Sequence, residues 1–324
     1  MTTDAAMVAP TEYDLEQHRR ELTGYCYRML GSGSEAEDAV QETIIKAWKG
    51  IDRFEGRSSV RSWLYRIATN VCLDMMRGPQ RRARPMDLGP SSPIATARVG
   101  EALPEHAWVQ PIADERIIPD DGDPAEIAAA RESIKLAFVA ALQHLPARQR
   151  AVLILREVLA WHASEVAELL GTSVASVNSA LQRARATLDA SNLAERRARP
   201  VDDDQTELLA RYVDAFERYD ITALVSLLHE DAVMSMPPYP LWLQGPSDIA
   251  GWFLGTGIVC KGSRLVATRA NGGAAFAAYH VDPAGGWSPW SLQLIEVRDG
   301  LISGHHNFLD TELLGQFGLP AHLD

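Results

Sequence analysis

Apolar positions recur every three to four residues over two long stretches of this chain and roughly every second residue over a third. Between residues 34 and 49 they fall at Ala36, Ala39, Val40, Ile44, Ala47 and Trp48, the stripe of an amphipathic helix. Ser34, with Glu37 three positions later, reads as a capping box at its start, and Gly50 as its stop. The next stretch puts Val60, Leu64, Ile67, Val71 and Leu73 near one face and Arg61, Arg66 and Asn70 on the other, and Gly78-Pro79 ends it. Helical patterning resumes over 126–190, broken at Pro146, at Trp161-His162 and at Gly171-Thr172-Ser173. Residues 86–125 lie between the blocks, rich in Pro, Gly and acids with no lasting period, and read as a linker. Within it, Trp108-Val109-Gln110-Pro111 is an apolar island expected to dock on the folded protein. Residues 193–203 read as a second linker. From 206 onward two helical segments precede runs rich in β-formers, AVMSM, RLVATRA, AAFAAYHV, WSLQLIEVRD and LISGHHNFLD, and Asp299-Gly300 is a hairpin signal. The fold expected is multidomain: an all-α domain at 11–85, an all-α helix-turn-helix domain at 126–192, and an α+β domain, helices first and an antiparallel sheet after, at 204–324.

Composition narrows the class. With 46% hydrophobic and 23% charged residues the chain is an ordinary globular sequence. The absence of any 18-residue apolar run argues against a membrane partner. The N-terminal residues lack the basic start and apolar core of a signal peptide. Cys26, Cys72 and Cys260 are far apart and odd in number, so neither a disulfide framework nor a zinc spacing follows; a cytoplasmic location without metal or cofactor is the expectation. The net charge of −12 speaks against nucleic-acid binding until it is divided. Residues 12–42 sum to −5, 53–84 to +6, 86–130 to −7, 131–199 to +4 and 200–324 to −10. Local charge governs affinity for phosphate beyond a Debye length of about 8–10 Å, and the two basic blocks coincide with the two helical blocks.

The second block carries helix-turn-helix spacing. Ala167 is small enough for close helix approach, Gly171 suits a left-handed turn, and Val177 plugs the angle between helices. A second helix from about 174 to 188 then exposes Ser176, Asn178, Ser179, Gln182, Arg183 and Arg185. Amide, hydroxyl and guanidinium groups of this kind hydrogen-bond base edges in a major groove and reach phosphates.

The first block decides between kinds of DNA-binding protein. AEDAVQETIIKAWKG, RFEGRSSVRSW and LYRIATNVCLDMMR resemble region 2 of extracytoplasmic-function (group IV, sigma-70 family) RNA polymerase sigma factors. LPARQRAVLILREVLAWHASEVAELLGTSVASVNSALQRARATL resembles region 4. The resemblance implies an alternative sigma factor, not an enzyme, that binds the β′ clamp and β flap of core RNA polymerase, recognises −10 and −35 promoter elements and initiates transcription. It implies that Asp38, Gln41, Glu42, Ile45 and Trp48 meet core polymerase. Arg53, Arg57, Ser58, Ser59, Arg61, Trp63, Tyr65, Arg66 and Asn70 would open and read the −10 element, where an unstacked base must be held. The six residues of the helix-turn-helix would read −35. Two departures stand out. Asn178 and Ala180 replace arginines common in the family, which points to an unusual −35 preference. His162 stands where Ser or Thr often caps, which should weaken that cap by roughly 1 kcal/mol.

The third domain, through DAFERYDITALVSLLHEDAVMSMPP and VRDGLISGHHNFLD, resembles the SnoaL-like branch of the NTF2-like fold, a curved sheet around a cone. MSMPPYPLWLQG with WVQP is similar to sigma factors of mycobacterial and related actinobacterial type. There the appended domain is thought to regulate in place of a separate anti-sigma factor. Its net charge favours intramolecular contact with the basic sigma domains or with the linker. Met236, Trp242, Trp252, His280, Trp290 and His305 are expected to line its pocket, which suits a small apolar ligand. His305 and His306 are neighbours on a strand and must face opposite ways. Asp231, His280, His305 and His306 could shuttle protons in SnoaL-like enzymes, but no paired acid–base spacing is evident. Two rivals stay open on residues alone: a DNA-binding regulator that never joins polymerase, and a SnoaL-type enzyme with a DNA-binding tether.

Overall fold

Gly31, at φ +74°, ends helix α1 (Arg19–Leu30) and turns the chain straight into helix α2 (Gly33–Gly50). Because that turn is so tight, α2 starts earlier than its composition suggests. Ser32 is the N-cap, accepting from the Glu35 N–H at 3.3 Å, and the Ser34–Glu37 box is not the start. Helix α3 (Val60–Met75) is capped by Ser59, whose hydroxyl accepts from the Ser62 N–H at 3.1 Å. The protein is described by a computed structural model over residues 15–56, 58–77, 82–119, 121–190 and 203–324. Arg57, the Gly78-Pro79 stop and nearly all of the 193–203 linker therefore lie outside the described residues.

Two compact units result, one of residues 1–81 with 115–195 and the other of residues 82–114 with 196–324. In the first, α1–α3 bury Leu22, Tyr25, Ala36, Val40, Leu64, Ala68 and Cys72 between them. Helices α4 (Pro124–Glu132), α5 (Leu136–Leu142) and α6 (Ala147–Leu153) follow, and α6 runs into a π-turn over Ile154–Val158. Helices α7 (Ala163–Leu169) and α8 (Val174–Ala190) form the helix-turn-helix, with Gly171 at φ +60° in the turn and Val166, Val177 and Leu181 buried at the angle. Two buried arginines tie the first helices to the later ones. Arg28 donates to the Ser133 carbonyl (3.2 Å) and hydroxyl (2.6 Å), and burial lowers its pKa to about 10. Arg150 donates to the carbonyls of Met29 and Leu145 and to the Gln143 side chain. A buried guanidinium is tolerated only when hydrogen-bonded in this way.

In the second unit, α9 (Asp203–Glu217) and α10 (Ile221–Ser226) lead into a six-stranded sheet of order β2-β1-β6-β5-β4-β3. The strands are β1 (Leu228–Ser235), β2 (Trp242–Gln244), β3 (Arg264–Ala270), β4 (Gly273–Val281), β5 (Trp287–Arg298) and β6 (Leu301–Phe308), with α11 (Pro246–Leu254) between β2 and β3. The Asp299-Gly300 hairpin is present, both residues at positive φ as a type I′ turn requires. The sheet is not wholly antiparallel. The chain crosses over through β2 and α11 before meandering back, so β6 returns beside β1 in parallel. Leu208, Tyr212, Ala215 and Phe216 of α9 pack with Trp252, Phe253, Phe276 and Ile295 in the core.

Of the stretch read as a linker, residues 86–114 belong to this second unit and 115–125 to the first. Ser92 N–H donates to Trp242 O, Trp242 Nε1 to Gly89 O and Leu103 N–H to Pro238 O, each at 2.9 Å. Ile94, Ala97 and Val99 join the core. At its end Asn271 and Ile112 exchange two hydrogen bonds of 3.1 Å, and Asp114 accepts from Gly272 N–H (2.7 Å) and Arg269 (3.3 Å). Trp108 is buried, as its apolar neighbourhood implied. The segment also closes on itself: Ala83 N–H donates to Ala107 O (2.8 Å) and Val109 N–H to Ala83 O (3.1 Å).

Candidate polymerase and nucleic-acid interfaces

On α2, burial of Ala36, Ala39, Val40, Thr43 and Ala47 against α1 and α3 turns the opposite face outward. Asp38, Gln41, Glu42, Ile45 and Trp48 all lie on that outer side and all are exposed, Trp48 by 62%. Two carboxylates beside two uncovered apolar side chains make a surface suited to a basic, partly apolar partner. Glu42 also pairs with Lys46 at 3.2 Å, one turn on.

The residues assigned to the −10 element divide. Arg53, Trp63 and Asn70 come together with Lys46, Gly50 and Ile67 around an open cavity of about 430 Å³. Trp63 is held by Phe54, ring centroids 4.9 Å apart. Gly50 stands beside the indole, where a Cβ would meet it at 3.5 Å, an ordinary contact distance. Ser59 and Ser58 do not line this cavity, and the Ser59 hydroxyl is spent on capping α3. Arg61, Tyr65 and Arg66 are engaged elsewhere. Tyr65 is fully buried, its hydroxyl donating to Glu21 at 3.2 Å, and burial raises its pKa. Arg61 donates to the same carboxylate at 2.8 Å, and Arg66 pairs with Glu168 at 3.2 Å. Lys46, Gly50 and Ile67 were missed in the sequence. The signal was there in the four-residue step from Lys46 to Gly50, which puts both on one helical flank.

On α8 all six assigned residues, Ser176, Asn178, Ser179, Gln182, Arg183 and Arg185, are exposed, while Val177, Leu181 and Ala184 point inward. Ser173 caps the helix, accepting from Ser176 N–H at 3.1 Å. Asn178, Gln182 and Arg185 line a shallow groove of about 540 Å³ with Arg156, Leu181, Ala186 and Asp189. Arg156, from the π-turn, was not foreseen. His162 gives no side-chain cap to α7; Glu165 accepts from its backbone N–H instead, at 2.7 Å.

The six residues expected to line a pocket in the C-terminal domain do not act as one set. Met236 and Trp252 are core. His305 is buried against Tyr212, Phe216 and Phe253. Tyr212 donates its hydroxyl proton to Gln293 (2.7 Å) and so accepts from His305 Nε2 (3.0 Å). Burial, with the neighbouring His306, lowers the His305 pKa to about 3. His306 faces the other way, onto the Ser235 hydroxyl at 2.8 Å. His280 stacks on Trp290 at 4.0 Å, its pKa lowered to about 4 by burial. Trp242 holds the docked segment through Gly89 and Ser92 instead of lining a cavity, because β2 is the sheet edge that segment crosses. Among the described residues no cluster of three or more metal-ligating side chains occurs, and no helix is long and apolar enough to cross a membrane.

Family models match in the same order as these elements: sigma-70 region 2 over residues 15–82, sigma-70 region 4 over 135–188 and a SnoaL-like domain over 209–305. The chain is 44% identical, over 95% of its length and 83% of the relative's, to the ECF RNA polymerase sigma factor SigG of Mycobacterium tuberculosis. It is 31% identical over 53% of its length, and 82% of the relative's, to the ECF sigma factor SigW of Bacillus subtilis. The crystal structure of M. tuberculosis SigJ shares the fold, at a TM-score of 0.61 and 23% identity over 96% of this chain and all of that one. The chain belongs to the extracytoplasmic-function sigma factors, proteins that bind core RNA polymerase and promoter DNA to start transcription and are not enzymes, and it carries an appended SnoaL-like domain.

Proposed function

We propose that the outer face of α2, from Asp38 to Trp48, is the surface that docks on the β′ clamp of core polymerase. The cavity walled by Arg53, Trp63 and Asn70 takes a base flipped from the −10 element. Helix α8 enters the major groove at −35, with region 4 resting on the β flap. The observation that carries this reading is the cavity: an aromatic wall, an amide that can pair with a base edge and two cations, opening within one helix of the exposed acidic and apolar face. Arg57, Ser58 and Ser59 flank it in sequence.

The C-terminal domain acts on these surfaces through the segment it holds. Pairing Ala83 with 107–109 closes residues 84–107 into a loop. At about 3.3–3.6 Å per extended residue, that removes roughly 80 Å from the reach of the tether between regions 2 and 4. A small apolar ligand that binds this domain would modulate the same hold.

Run-off transcription from genomic fragments with purified core polymerase tests the whole. The full chain should yield defined start sites. A variant with Asp38→Ala, Gln41→Ala and Glu42→Ala should lose co-purification with core polymerase yet keep weak DNA binding. Removing residues 204–324 should change promoter output. No transcript from any fragment would overturn the assignment, and unchanged output on truncation would overturn the regulatory part.

A further inference from the structure

Helix α8 leaves one large apolar side chain outside its packing. Val174, its first residue, is 43% exposed, although a helix restricts the rotamers of valine and burial favours it. Other residues hold the helix-turn-helix together: Val177, Leu181 and Ala184 are buried, and Ser173 caps the helix start. Asn178 and Gln182 follow Val174 at four-residue steps, so the three form one stripe along an exposed flank. The two amides line the shallow groove beside α8. Successive members of the stripe stand about 6 Å apart along the helix axis, less than two base-pair steps of about 3.4 Å.

The chemistry of this stripe is selective. In a major groove thymine alone shows a methyl group, which an apolar side chain meets. Asparagine and glutamine amides pair bidentately with N6 and N7 of adenine, whereas guanine is read by arginine or lysine. Val174, Asn178 and Gln182 offer an apolar contact and two amides, with no cation among them. Ser176, beside them, has its hydroxyl 3.0 Å from that of Ser173 in the cap. Arg183 and Arg185 come in later turns. A recognition helix meets base edges with its N-terminal residues, and arginines beyond these reach phosphates. The order along α8, apolar then amides then cations, therefore matches A·T pairs followed by backbone.

We propose that Val174 is a specificity-determining residue of this sigma factor, packing on a thymine methyl group, and that with Asn178 and Gln182 it selects A·T pairs in the −35 element. The inference rests on the assignment of α8 to the −35 major groove and deepens it by naming the bases read.

The test uses holoenzyme assembled from the full chain and core polymerase, and promoters mapped by run-off transcription with their −35 positions randomised. Selection for binding should enrich A·T pairs at neighbouring positions. Asn178→Arg, at an exposed position, should move one of these from adenine to guanine, by about tenfold or more. Enriched thymines are then replaced one at a time by uracil, which removes only the methyl group. At one position the parent should bind about threefold more weakly. Val174→Ala should show the same loss on thymine DNA and no further loss on uracil DNA. A merely structural role for Val174, or a contact with polymerase, would weaken both DNAs alike and overturn the inference. If Asn178→Arg moves no position while Arg183→Ala still weakens promoter binding, the base assignment is wrong and α8 remains the −35 helix. If neither change alters the selected sequence or the output, the −35 assignment falls and the inference with it.

Discussion

The two helices to which we assign promoter reading are presented differently in this sigma factor. Helix α8 shows every polar residue that its pattern assigns to DNA, from Ser176 to Arg185, and buries Val177, Leu181 and Ala184 beneath them. Helix α3 shows Trp63 and Asn70 at an open cavity but commits Arg61, Tyr65 and Arg66 to partners in the same unit. On the proposed assignment, residues that read DNA need not be exposed in the free protein. A helix that lies in a groove of intact duplex needs no protection. A face that must take bases from an opened duplex presents aromatic rings and cations, and these find partners inside the protein when no DNA is there.

The largest expected effect breaks the comparison at Tyr65. It is fully buried, edge-on to Tyr25 at 5.2 Å and bonded to Glu21. Tyr65→Ala should cost about 3–5 kcal/mol of stability, as for other large aromatic truncations in cores. Ser179→Ala, on the open helix, should stay within about 0.5 kcal/mol. Denaturant unfolding of the full chain, followed by helix signal, compares the two. Equal small losses would mean that Tyr65 is not core and that the faces are alike.

The helices and their faces were legible in the sequence because period 3.6 separates buried from exposed positions without knowledge of the partner. That is why Asp38 to Trp48 and Ser176 to Arg185 emerge where their spacing puts them. Tyr65 was not legible, since an aromatic on a basic helix reads equally as a stacking platform or as core. Its partners decide it: Tyr25 and Glu21 of another helix, and Trp161 nearly a hundred residues away. The linker failed for a related reason. Residues 82–114 hold their place through scattered hydrogen bonds to Trp242, Pro238, Asn271 and Gly272 and through Ile94, Ala97 and Val99 in the core, with no period of their own. Likewise the C-terminal set mixed residues from an edge strand, the core and a surface stack, because apolar character alone does not say which wall a side chain joins.

Acid gives an intermediate effect and sharpens the comparison by loosening the unit that holds neither α3 nor α8. His305 is held neutral by burial, its pKa about 3 against 6.5 in an open chain. Below pH 6.5 the unfolded chain takes a proton that the native imidazole refuses. The stability His305 contributes is thus complete above pH 6.5 and is lost as pH falls toward 3, by up to about 1.4 kcal/mol per pH unit. His280, lowered to about 4, adds in the same direction. Thermal unfolding of the full chain between pH 6.5 and 4.5 should show a steeper decline for the parent than for His305→Gln. Parallel declines would mean that the imidazole is solvated in the native state.

The smallest effect tests how open α8 is. Arg185, one of the six, pairs with Glu157 of the π-turn at 2.5 Å, both side chains largely exposed. An exposed pair of this kind is worth about 0.2–1 kcal/mol, so DNA has only to outbid a weak local partner. Glu157→Gln removes that partner and one negative charge next to Arg185. Binding of −35 duplex by free protein should tighten by about two- to threefold, and the gain should shrink as salt rises, since a carboxylate near phosphate is screened by the same ions. A gain of tenfold or more would place Arg185 among the held residues, like Arg61, and the contrast between the two helices would become one of degree. No gain at any salt concentration would mean that Arg185 does not approach the phosphates, leaving Arg183 and the amides to carry the −35 contact.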